Sequence, residues 1–145
     1  MNQKDGPVIL VAEDDPDDRL LSKEALKFGG IDAVVLFVED GVELMDYLHS
    51  LSKNGNHNPW PDLILLDIKM PRKSGWEALE EIKAEPSLSK ILIIILTTSR
   101  NMDDVVRSKE LGAEAYYTKP ASFEELIDIM RDIGRLWKEK SDLKQ

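Results

Sequence analysis

Residues 63–75 read LILLDIKMPRKSG, an unbroken aliphatic run that delivers one aspartate, Asp67, before the chain breaks at Pro71 and Gly75. Four apolar residues without alternation suit a strand buried on both faces, the kind found in parallel sheets covered by helices. A parallel sheet is a demanding commitment, because each return to the same edge needs a crossover of about a dozen residues or more. The stretch therefore predicts further strands of the same kind with helices between them. It also puts a carboxylate at the strand end where open α/β sheets bind ligands. Taken alone, Asp67 reads as a polar strand terminator, and the rest of the chain decides its role.

The rest of the chain alternates as that reading requires. Val8–Ala12 (VILVA) is a strand ended by Glu13-Asp14-Asp15, and Pro16 suits the first turn of a helix capped by Asp15. That helix carries Leu20, Leu21, Ala25, Leu26 and Phe28 at helical spacing and stops at Gly29-Gly30. Ala33–Val38 is the second strand, and Asp40-Gly41 opens the second helix. Lys53–Pro61 (KNGNHNPWP) is a loop full of breakers. After Gly75 a third helix carries Trp76, Leu79 and Ile82 and ends at Glu85-Pro86. Ile91–Leu96 (ILIIIL) is a central strand ending at Thr97, and Asn101 with Asp104 forms a capping pair for a fourth helix reaching Leu111-Gly112. Ala113–Thr118 is a more polar strand, suited to an edge. Ser122 and Glu125 form a capping box for the last helix, striped by Phe123, Leu126, Ile127, Met130, Ile133 and Trp137. The charged tail Lys138–Gln145 is expected to be frayed or solvated.

Composition narrows the function classes. The 145 residues suit one domain, with a core at about 8–137. With 28 acidic against 19 basic residues, the net charge of −9 disfavours nucleic acid and anionic membrane as partners. No cysteine is present, which excludes disulfides, thiolate catalysis and Cys-based metal sites. The polar start and the lack of any long apolar segment predict a cytoplasmic protein.

Five strands alternating with five helices predict an α/β domain, a doubly wound parallel sheet with helices on both faces. Its C-terminal strand edge gathers Glu13 and Asp14, Asp67, Thr97 and Lys119, the first and last of them more than a hundred positions apart. Three clustered carboxylates repel unless a cation joins them or their pKa values rise. All-oxygen ligands suit a hard cation such as Mg²⁺, which keeps waters and phosphate oxygens in its shell. With the cation in place the acidic cluster attracts a phosphoryl group. Lys119 adds a compact positive charge and Thr97 a hydroxyl donor. An aspartate so placed is a nucleophile on phosphorus, giving an aspartyl-phosphate by positioning and charge neutralisation.

These residues, in this order and at these strand ends, resemble a response-regulator receiver domain of two-component signalling, over nearly the whole chain. The resemblance implies a flavodoxin-like sheet of order 2-1-3-4-5. It matches the family's metal-binding acids to Glu13 and Asp14, its phosphoacceptor to Asp67 in DIKMPRKSG, and its switch Ser/Thr to Thr97 in ILTTS. It matches the strand-five lysine to Lys119 in TKP and the switch aromatic to Tyr116. It further implies Mg²⁺ bound also by the Lys69 main-chain carbonyl, a cis Lys119–Pro120 bond, and a histidine kinase as phosphodonor. Phosphorylation then draws Thr97 inward and Tyr116 after it, remodelling the face of helix four, strand five and helix five toward a downstream protein or a second copy of the chain. Such a protein is a signalling receiver and not an enzyme beyond its own phosphotransfer and dephosphorylation. The fold uses the chain to about Trp137, so no output domain is expected. The ILTTS segment, the Lys53–Pro61 loop and the late Trp137 are also similar to single-domain receivers paired with bacterial phytochrome kinases.

Ser74 and Ala121 depart from the family's frequent Asp and Phe, away from the chemistry. The resemblance further implies that Lys69 and Ser99 occupy the two variable positions near the phosphoryl group that tune its lifetime, and the Lys69 side chain is expected to shield it from water. His49 and His57 read as surface histidines, Trp60 as a loop anchor, and Asp17 and Asp18 as acids favoured by the first helix's dipole. A flavin carrier would need a Ser/Thr/Gly loop where this chain has Glu-Asp-Asp-Pro-Asp. An aspartate-based phosphatase would put its nucleophile after strand one. A receiver degenerated to a docking module would not keep all five polar positions.

Overall fold

The computed structural model describes residues 6–143 and contains β1 (Val8–Ala12), α1 (Pro16–Phe28), β2 (Val34–Val38), α2 (Gly41–Ser50) and β3 (Leu63–Leu66). These are followed by α3 (Gly75–Ala84), β4 (Leu92–Thr97), α4 (Met102–Glu110), β5 (Ala115–Thr118) and α5 (Phe123–Leu143). The strands form one parallel sheet in the order β2-β1-β3-β4-β5. The order reverses at β1, so loops leaving neighbouring strands part to opposite sides there and open a crevice at the carboxyl edge.

Burial explains why LILL has no polar alternation. Ile64 and Leu66 belong to a core shared with α2 and α3, whereas Leu63 and Leu65 join α1 and α5 on the other face. All four are almost fully buried. On the α1/α5 side Ala25 and Leu26 meet Met130 and Ile133. On the other side Leu44 and Leu48 meet Leu79 and Ile82. The Arg107 guanidinium lies 4.5 Å from the Trp76 ring centroid and links α4 to α3.

The ends of several elements differ from the sequence expectation, each for a local reason. β5 begins at Ala115 because the Ala113 N–H still closes the end of α4 on the Ser108 carbonyl. Asn101 caps α4 as expected, and only the part given to Asp104 in the capping pair is corrected. Asn101 accepts from the Asp103 N–H at 2.9 Å, while the Asp104 carboxylate takes the Ser99 hydroxyl at 2.6 Å. Ser122 accepts from the Glu125 N–H at 3.1 Å, one half of the expected box. The complete box forms instead on α3, where Ser74 and Glu77 satisfy each other's backbone N–H. This gives Ser74 a capping role in place of the family's Asp. The tail, expected to be frayed or solvated from Lys138 to Gln145, is helical to Leu143, with Lys140 3.0 Å from Glu114, and Lys144 and Gln145 lie outside the described residues.

Among the described residues every peptide bond is trans, Lys119–Pro120 included, which corrects the expected cis bond. Trans is the lower-energy isomer even before proline. Trp60 is exposed and belongs to neither core, so it does not anchor its loop. The Tyr47 hydroxyl does so by donating to the Pro59 carbonyl at 2.8 Å. His57 is exposed, while His49 lies 2.9 Å from Glu85. No helix among the described residues is long and apolar enough to cross a membrane.

Candidate functional site

Three parallel strands end side by side and bring the acids together. The Asp67 N–H donates to the Ala12 carbonyl, and the Glu13 N–H to the Val38 carbonyl, so the ladders continue into the site residues themselves. Glu13 and Asp67 are buried and Asp14 is exposed, and one carboxylate oxygen from each lies within 4.8 Å of the others. The group is open on the Asp14 side and closed behind, a donor set of oxygens alone that fits a hard divalent cation. Asp15 does not join it. Its side chain caps α1 by accepting from the Asp17 N–H at 2.8 Å.

Lys119 reaches the cluster from the end of β5, held by its own N–H on the Thr97 carbonyl at 2.7 Å. Its ammonium lies 2.5 Å from Glu13, 2.9 Å from Asp18 and 3.1 Å from Asp67. Burial alone would lower the Lys119 pKa, but hydrogen bonds to Glu13 and Asp18 and the Asp67 charge reverse the sign and raise it. The lysine stays charged throughout the physiological range. Burial pushes the Glu13 carboxyl up to about 7; the Lys119 hydrogen bond opposes that rise and the Asp67 charge adds to it. At neutral pH Glu13 is therefore poised between its two states, and a divalent cation would take the deprotonated one.

Asp67 is gripped on both oxygens. Oδ1 accepts the Thr97 hydroxyl at 2.8 Å and the Lys69 N–H at 3.1 Å, while Oδ2 faces Lys119. Thr97 is wholly buried and already turned inward. Beyond it, the Ser99 carbonyl accepts the Tyr116 hydroxyl at 2.9 Å and the Thr118 hydroxyl at 3.2 Å, tying the β4–α4 loop to β5. The Lys69 side chain is exposed at the rim. Six of the seven residues singled out from the sequence (Glu13, Asp14, Asp67, Lys69, Thr97 and Lys119) thus sit on one edge of the sheet, while Tyr116 lies within β5 opposite Ile95 and reaches toward that edge through its hydroxyl on the Ser99 carbonyl.

Two participants escaped the sequence reading. Asp18 pairs with Lys119 as well as serving the first turn of α1. The signal was its position one turn into a helix that starts at the acidic strand end. The other is an Asp40–Arg72 ion pair beside the Asp67 loop.

Comparison with known proteins gives the family of the chain. The response regulator receiver domain family matches residues 9–131. Response regulator Rcp1 of Synechocystis sp. is 40% identical over 132 residues, covering 91% of this chain and 89% of that protein. The crystal structure of Mn²⁺-bound Rcp1 matches with a TM-score of 0.79 over 90% of this chain and 94% of that one. The phosphorylated cyanobacterial phytochrome response regulator RcpA matches with a TM-score of 0.82 at 38% identity, covering 93% of this chain and 96% of that chain. The bacteriophytochrome response regulator RtBRR matches at 0.74 with 35% identity, over 89% of this chain and 78% of that one.

Proposed function

This chain belongs to the response regulator receiver family of two-component signalling, and we propose that it takes a phosphoryl group from a histidine kinase onto Asp67. The observation that carries the proposal is the grip on Asp67: a hydroxyl and an N–H on one oxygen, an ammonium on the other, and two further acids beside it. Receivers of this family bind a divalent cation, and we assign Mg²⁺ as the one used here. Glu13, Asp14, Asp67 and the Lys69 main-chain carbonyl would hold it, and bound there it would neutralise charge on the phosphoryl oxygens.

An Asp67 carboxylate oxygen attacks phosphorus, the P–N bond to the kinase imidazole breaks, and the departing nitrogen keeps the bonding pair and takes a proton. Lys119 balances the charge gathering at Asp67. The Thr97 hydroxyl, already donating to Asp67, shifts its hydrogen bond to a phosphoryl oxygen. About two added negative charges then bias the β4–α4 loop and, through Ser99, Tyr116 on β5. We assign Thr97 and Tyr116 as the switch pair. The output surface is the α4–β5–α5 face, where Met102 and Val106 stand exposed for a partner protein or a second copy. A phytochrome-type kinase is the proposed donor, on the strength of relatives that carry that name. The setting is cytoplasmic.

The test is incubation with acetyl phosphate as a small phosphodonor. The chain gains one phosphoryl group by intact mass when Mg²⁺ is present and none when a chelator removes it. Uptake that ignores the chelator would overturn the assignment. A second prediction concerns lifetime. The exposed Lys69 side chain shields the phosphorylated carboxyl from water, so Lys69→Ala speeds its hydrolysis several-fold. An unchanged decay rate would remove that role.

A further inference from the structure

The loop between Asp67 and α3 contains the one non-glycine residue with positive φ among the described residues, Arg72 at φ 66°. Arg72 sits at the centre of a three-residue turn closed by the Lys73 N–H on the Pro71 carbonyl at 2.7 Å. With positive φ this is the strained form of the γ-turn, a conformation that residues other than glycine rarely adopt. A second interaction holds it there. The guanidinium grips Asp40 with two parallel bonds, Nε to Oδ2 at 2.9 Å and Nη2 to Oδ1 at 3.2 Å. The Asp40 side chain is only 12% exposed and is itself fixed as the cap of α2, accepting the Glu43 N–H at 2.8 Å.

The same junction is closed at two further points. The Gly41 N–H donates to the Lys73 carbonyl at 3.1 Å, so close that a Cβ on Gly41 would lie 2.2 Å from that oxygen. At the far end of the loop the Gly75 N–H donates to the Ile68 carbonyl at 2.9 Å. Asp40 follows β2 and Arg72 follows β3, the two strands that flank β1 and its acids. The pair therefore ties together loops on either side of the cluster. Between these anchors lies Lys69, whose N–H reaches Asp67.

From this geometry we infer that Arg72 and Asp40 are positioning residues, a bidentate clamp that holds the Asp67 loop in a strained turn and thereby sets Lys69 against the phosphoacceptor and the cation. The inference rests on the proposed receiver chemistry of this site for its consequence, and on the turn itself for its mechanism. A fork-to-carboxylate pair supplies direction as well as charge, and the strain explains why direction is needed.

Two clean substitutions separate the clamp from folding. Asp40→Asn keeps a good helix cap while removing the charge that Arg72 grips. Arg72→Gly keeps a residue at ease with positive φ while removing the guanidinium. Mg²⁺ affinity by calorimetry, Lys69 amide exchange by NMR, and the metal-free unfolding midpoint are measured for the wild type, both single variants and the double variant. Each single variant should bind Mg²⁺ about tenfold more weakly, within the range outer-shell partners of metal ligands contribute. Each should also exchange the Lys69 amide faster, and the double variant should lose no more than either alone. Wild-type affinity and exchange in the single variants, or losses that multiply in the double, would overturn the clamp. If the wild type binds no divalent cation, the receiver chemistry of this site fails instead. Amide exchange still decides the clamp in that case: faster exchange in both variants supports it, and unchanged exchange overturns it.

Discussion

Lys119→Met will cut phosphoryl uptake at least about a hundredfold, the scale seen when one preorganised charge-stabilising donor is removed. The substitution keeps the aliphatic stem and deletes only the ammonium that touches Glu13, Asp18 and Asp67. Among the described residues no other side chain places positive charge on Asp67, so the cation alone would be left to balance the developing charge of the transfer. The same deletion leaves Glu13 and Asp67 facing each other in a buried setting, which raises Glu13 further. A raised folded-state pKa means the native chain holds a proton that the unfolded chain has lost. The stability that proton brings is complete below the unfolded value of 4.5 and vanishes as pH rises through the folded value. The variant should therefore unfold at a temperature well below wild type at pH 8 and closer to it at pH 5.5. Phosphoryl uptake within a few-fold of wild type, or a pH-independent gap in unfolding temperature, would contradict this account of Lys119.

The second large effect is on cation affinity. Burial pushes Glu13 up to about 7 in the metal-free chain, and a cation takes the carboxylate only after the proton leaves. Mg²⁺ affinity should therefore fall about tenfold for each pH unit below 7 and level off above it, one proton being displaced for each ion bound. Glu13→Gln removes both a ligand and the titration. It should bind Mg²⁺ weakly and with a much flatter dependence between pH 5.5 and 7.5. Calorimetry across that range reads both quantities. An affinity in the wild type that does not change between pH 5.5 and 7.5 would show that Glu13 gives up no proton to the ion.

Much of this architecture was legible in the chain because strand ends carry their chemistry in one dimension. An apolar run followed by an acid, a threonine or a lysine reads directly, and a parallel sheet does the rest by putting all those ends on one edge. LILL was the clearest case, since burial on both faces leaves no polar position to confuse it. The parts that were not legible depend on contacts between loops or on competing local roles. Asp18 was masked because an acid in the first turn of a helix needs no other explanation. Arg72 was invisible because positive φ is announced by glycine or asparagine, and an arginine held there by a distant carboxylate has no local signature. The end of α5 was missed for a different reason. Lys138–Leu143 lacks an apolar stripe, yet good helix formers and the Lys140–Glu114 pair carry the helix on.

The central claim is that Asp67, supported by LILL and gripped from three sides, receives the phosphoryl group. Intact mass of the wild type and of Asp67→Asn after identical incubation with acetyl phosphate and Mg²⁺ tests it most directly. The account predicts one phosphoryl group on the wild type and none on Asp67→Asn. An equal gain on both proteins would contradict it.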